Sequence, residues 1–207
     1  MTEQHFVSGK DVQADLAFVK ALVTEGSRVQ ISGGALYLAG GVCYGLQCLV
    51  QWIHLAGIVN IGGLGNLIAG ILPTAVFLTV MCVILWRDRK VPKNGVATRA
   101  LNAAFSSAGL ANLFMVGVFG YVAITEKSML IWLLYPITVC AFQGAVWYTA
   151  YMIRKQAWLA CISAGWFVTT LTLGLLIRTP HYVLVLGLAL FIIMGGGGLY
   201  MMKQARK

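Results

Sequence analysis

Residues 64–99 read LGNLIAGILPTAVFLTVMCVILW and then RDRKVPKNGVATR. The first part, 64–86, is an apolar run without a charged residue. The second crowds Arg87, Arg89, Lys90, Lys93 and Arg99 into a short polar gap. About 20 apolar residues in a helix cross about 30 Å of hydrocarbon, so the run reads as a membrane span and the gap as a loop at a water interface. Lys and Arg in short loops stay on the cytoplasmic side, so this gap is expected there.

The same alternation extends outward in both directions. Apolar runs at 31–56, 101–124, 129–153, 157–177 and 181–202 join 64–86 to make six expected spans. Arg154 and Lys155 fill the gap after the fourth span, and Lys203, Arg206 and Lys207 the tail. On the opposite side, Lys127 and Arg178 are the only Lys or Arg residues, and the first gap, IVNIGGLG, carries no charge. The chain therefore reads as an all-α, polytopic membrane helical bundle of six transmembrane helices with both termini cytoplasmic. Trp52, Trp86, Trp132 and Trp158 stand near run ends, where an indole favours the membrane interface.

Composition agrees. The chain is 59% hydrophobic and 10% charged, whereas soluble domains are about 25% charged. At 207 residues, six spans and their connections leave no room for a soluble domain. The net charge of +9 is accounted for by span ends facing anionic headgroups, so no nucleic-acid partner is expected. Cys43, Cys48, Cys82, Cys140 and Cys161 all lie inside apolar runs without a CxxC pair, which argues against disulfides and thiolate metal sites.

Three segments follow: an arm at 1–30, a transmembrane domain at 31–202 and a basic cytoplasmic tail at 203–207. In the arm, Val12, Leu16, Val19 and Val23 share one helical face between Asp11, a candidate N-cap, and Gly26, a candidate stop. An amphipathic helix along the cytoplasmic interface is expected there. No signal-peptide pattern opens the chain, so the first apolar run is expected to be kept as a span.

Small residues should line the helix contacts: Gly41 and Gly45 in span 1, Gly109 and Gly117 in span 3, Ala141 and Ala145 in span 4. Pro73 should kink span 2 near Ala69. The run Gly195–Gly198 should weaken span 6 or let a neighbour come close.

None of Glu3, Asp11, Asp15, Glu25, Asp88 and Glu126 lies inside a span. Ion-coupled transport and intramembrane hydrolysis usually need a titratable group or metal ligand at depth, so neither catalytic nor metal-binding residues are assigned. Neutral polar residues do gather. Tyr44, Gln47, Asn112, Cys140 and Gln143 all fall near the bilayer midplane in the expected topology. They read either as interhelical hydrogen-bond glue or as a polar crevice. His54 and His181 fall near the outer face, where they could be isolated side chains, ligands to haem or metal, or pH sensors.

The opening run DLAFVKALVTEG, the Gly-rich stretch ISGGALYLAGG and the basic turn IRKQAW resemble those of small six-span bacterial inner-membrane proteins with no assigned activity. The resemblance implies the six-span fold and a bacterial inner-membrane location. It transfers no functional residue.

Three functional readings remain. One is a non-enzymatic accessory or interaction subunit of a larger membrane assembly, with a membrane-protein partner or a second copy of itself beside the lipid. Another is a small permease or channel for a neutral or amphipathic solute. The last is a haem- or metal-binding protein using His54 and His181, although no cofactor is expected.

Overall fold

The computed structural model describes the backbone of residues 9–89 and 96–205, and the side chains of 30–89 and 97–205. Its helices are α1 (Gly9–Leu55), α2 (Gly62–Asp88), α3 (Val96–Thr125), α4 (Met129–Arg154) and α5 (Ala157–Leu176). The last span is built of α6 (His181–Ala189), a π-helical turn (Leu190–Gly195) and α7 (Gly196–Gln204). Six helices are long and apolar enough to cross a membrane: Gln30–Leu55, Gly62–Asp88, Ala97–Thr125, Met129–Arg154, Ala157–Leu176 and His181–Gln204. Each lies within four residues of the expected boundaries at both ends.

The expected stop at Gly26 does not occur. α1 runs through it without a break for 47 residues. At 1.5 Å per residue that is about 70 Å, more than twice the hydrocarbon thickness. A helical glycine costs only about 1 kcal/mol relative to alanine, and here both flanks continue the helix, so Gly26 alone does not end it. Gly57, at φ 72°, adopts the left-handed backbone in the turn just after α1.

Neighbouring helices do not simply follow chain order. The packed pairs are α1 with α2, α3 with α4, α4 with α5, α5 with the last span, and the last span with α1. In space the order is α2, α1, last span, α5, α4, α3. α2 and α3 are consecutive in the chain yet stand at the two ends of this arc and do not form a packed pair. α2 has no buried residue, and in α3 Leu101 is the sole buried side chain among those described. The arc curls so that α1 faces α4, with the rings of Tyr37 and Trp147 4.9 Å apart.

The tightest seam joins α1 to the last span, which run antiparallel. A Cβ on Gly198 would lie 2.5 Å from the carbonyl oxygen of Gly34, and one on Gly41 2.5 Å from the nitrogen of Gly195 and 2.8 Å from the oxygen of Leu190. Gly41 thus meets the π-helical turn, whose wider backbone needs a neighbour with no side chain. Gly45, the other half of the GxxxG pair, takes the Phe191 ring. That pair is therefore spent inside the chain. By contrast, a Cβ on Gly109 or Gly117 would meet nothing within 4 Å, and Ala145 is exposed. These do not mark helix contacts as expected, because small residues also fall on lipid-facing surfaces. Gly144 serves that role on α4, against the Phe167 ring of α5.

Candidate functional site

Two interhelical hydrogen bonds fall beside in-helix prolines. Pro73 in α2 and Pro136 in α4 each lack the N–H that would bond the carbonyl four residues back, Ala69 and Trp132 respectively. The next carbonyl, three residues back, lies beside the ring and keeps its own helical donor, Thr74 N–H or Ile137 N–H. Each of those carbonyls accepts a hydrogen bond from another helix. Gln47 Nε2 of α1 donates to the Gly70 oxygen at 3.2 Å. The Tyr182 hydroxyl of α6 donates to the Leu133 oxygen at 2.6 Å. In hydrocarbon an unpaired carbonyl is costly, and neighbouring helices make prolines tolerable by supplying donors.

Two further bonds tie the arc together. Ser163 of α5 donates to the Gly144 oxygen at 2.8 Å, buried. Trp166 Nε1 donates to the Tyr37 hydroxyl at 2.6 Å, also buried, linking α5 to α1. Around this bond Trp147 packs against Tyr37, Phe105 and Trp158, with ring centroids 4.9, 5.1 and 6.2 Å away. Trp147, Trp166, Tyr182, Leu173 and Cys140 are the largest fully buried side chains.

The five midplane candidates split into two groups. Tyr44 and Gln47 turn toward α2: the Tyr44 ring lies 5.3 Å from Phe77, and Gln47 bonds Gly70. Asn112, Cys140 and Gln143 belong to the α3–α4 seam. Its register is set by Phe105 on Trp147 and Phe119 on Tyr135. Asn112, midway between the two phenylalanines, is therefore level with residue 141, between Cys140 and Gln143. Cys140 is 1% exposed and packed in the hydrophobic core. Among the described residues, no side-chain hydrogen bond joins any two of the five.

The α3–α4 seam also holds unpaired polarity. Asn102 Nδ2, Asn112 Oδ1 and Gln143 Oε1 are buried without a hydrogen-bond partner, whereas Trp147 Nε1 lies near the Tyr37 hydroxyl without a well-formed bond to it. A single rotated amide would exchange an N–H for an oxygen at the level shared by Asn112 and Gln143. A small polar guest or a water would satisfy the same atoms.

A cavity of about 780 Å³ opens at the end of the bundle where α2, α4 and α6 begin. That end carries few basic groups and is called the charge-poor end below. Gln51 and His54 of α1, Asn66 of α2 and Arg178 and Thr179 of the α5–α6 turn supply polar lining. Trp132 and Leu133 of α4, with Ile177 and Val183, supply apolar wall. His54 Nδ1 lies 3.3 Å from the Val59 oxygen, which favours a proton on that nitrogen. His181 is exposed at the start of α6 and does not line the cavity. Spans 1 and 6 are neighbours, but only one of their two histidines reaches this space. Among the described residues, no group of three or more His, Cys, Asp or Glu is placed to hold a metal ion.

The sequence reading missed Pro136, Tyr182 and the cavity. Pro136 was visible in the fourth apolar run. The donor that answers it, and the meeting of four chain segments around one space, carry no local signal. Compared with known protein families, curated proteins and solved structures, the chain matches none.

Proposed function

We propose that this chain is a non-enzymatic protein of the bacterial inner membrane, with both termini cytoplasmic, acting as an accessory or interaction subunit of a larger membrane assembly. The observation that carries this reading is the unpaired seam between α2 and α3. Two consecutive helices occupy the ends of the arc, each packed closely on a single neighbour among the described residues, with apolar flanks such as Leu72 (55% exposed) and Phe114 (67% exposed). A partner helix laid against them would gain close packing that lipid tails match only loosely. The span-1 polar residues also favour it, because Tyr37 and Gln47 are used in holding helices together.

The test is a photo-crosslinking residue at Phe114, with Leu175 on α5 (86% exposed) as a lipid-facing control. A discrete protein adduct at Phe114 and none at Leu175 supports the reading. Crosslinks to lipid alone at both positions, together with elution as a lone chain after gentle extraction, overturn it.

The permease reading is favoured by one specific observation, the unpaired atoms of Asn102, Asn112 and Gln143. If a neutral or amphipathic solute uses them, Gln143→Leu abolishes its flux in reconstituted vesicles while the fold persists. Unchanged flux removes that site.

A further inference from the structure

The cavity at the charge-poor end has a chemistry that neither the accessory nor the permease reading uses. We propose that it binds the anionic headgroup of an amphiphile, a carboxylate or a phosphate, with the attached chain lying along the apolar wall. This inference is independent of what the α2–α3 seam docks.

Charge is the first argument. Arg178 lines the cavity and no Asp or Glu does; Glu126, in the α3–α4 turn at the same end, lies outside the lining. Its guanidinium, exposed at the rim of the cavity, presents a planar fork of donors suited to two oxygens of one anion. Gln51, His54 and Asn66 add neutral polar groups from two further helices.

Shape is the second argument. A space of about 780 Å³ falls within the roughly 300–1,000 Å³ of small-molecule sites. It is too large for a bare ion. Leu133 and Val183 make its wall apolar, which a hydrated anion would not exploit and an acyl chain would. No α3 residue lines it, and α2 and α3 do not pack together, so a chain seated here has a way out to the bilayer. A cationic amphiphile is opposed by Arg178, and a zwitterionic one gains less from it.

The test uses the full chain in a neutral maltoside detergent with bromine-labelled quenchers of tryptophan fluorescence. Dibromostearate and dibromo-phosphatidylglycerol are the two anionic arms, and dibromo-phosphatidylcholine is the zwitterionic control. Trp132 lines the cavity, so the quenching step lost in Trp132→Phe is the signal that reports occupancy. At least one anionic arm is expected to bind about tenfold more tightly than the control, the scale of one charge-assisted contact. The arm that binds identifies the source of the headgroup. Arg178→Gln should lose about tenfold in affinity and Arg178→Lys much less. Lys127→Gln, at the same end but outside the lining, should change nothing. Val183→Trp fills the space with the charge intact and should block both arms, which keeps the proposal testable if Arg178→Gln misfolds.

Equal binding of all three lipids overturns the proposal, as does an equal loss in Lys127→Gln. Displacement by millimolar inorganic phosphate as complete as by excess amphiphile would reassign the site to a free anion.

Discussion

Gln47 shows how a single residue changes meaning once its partner is known. As a midplane amide it is an obvious candidate for gripping a solute. Its Nε2 instead answers the Gly70 carbonyl beside Pro73. Gln47→Leu should therefore destabilise the fold by about 0.5–1.5 kcal/mol, the net worth of one hydrogen bond, measurable as an earlier unfolding midpoint in denaturing detergent. Tyr182→Phe should do the same through Leu133 and Pro136. If either variant unfolds at the parental midpoint, the proline-answering role is wrong. Another residue-scale strain sits at Lys155, which closes α4 at φ 55° with its N–H bonded to the Tyr151 oxygen. A side chain in that left-handed conformation costs about 1–2 kcal/mol, so Lys155→Gly should raise the midpoint.

Among the elements, the glycines separate into those that touch and those that do not. Gly41→Ala and Gly198→Ala would drive a methyl into the backbone of the partner helix and should each cost about 1–3 kcal/mol. Gly109→Ala and Gly117→Ala meet open space and should be neutral or stabilising by up to about 1 kcal/mol through helix propensity. Thermal stability of the four variants, measured side by side, checks the contrast. A similar loss in all four would mean that α3 packs on something through that face. Glycine content and spacing were legible in the chain, but they did not distinguish these cases. A GxxxG pair says that two backbones can approach, not which two do.

For the whole molecule, orientation is the prediction with the widest reach. Reporter fusions in the loop bearing Arg87 and Lys93 should behave as cytoplasmic, and fusions in the Gly57–Ile61 turn as external. Periplasmic activity from the first loop would invert the bundle and move the cavity to the cytoplasmic leaflet. The arc order makes a second demand on the whole. Because α2 packs closely only on α1 among the described residues, it should be the first span to separate: cysteine pairs across α1–α2 should lose crosslinking at lower denaturant than pairs across α4–α5.

The chain by itself determined the solvent, the number of spans, their limits to within a few residues and the distribution of charge between the two ends. Those properties depend on local apolar length and on where Lys and Arg interrupt it, and each can be read along one dimension. Pro73 could likewise be read as a missing backbone hydrogen bond. The tertiary structure alone decided that Gln47 and Tyr182 are the donors, that the GxxxG pair serves the last span, and that consecutive helices α2 and α3 stand apart. It also drew Arg178, His54 and Asn66 to one cavity from segments far apart in the chain. Hydrogen-bond partners and cavities depend on the register between helices. That register comes from side-chain shapes meeting across space, of which a single strand of sequence holds only one half at a time.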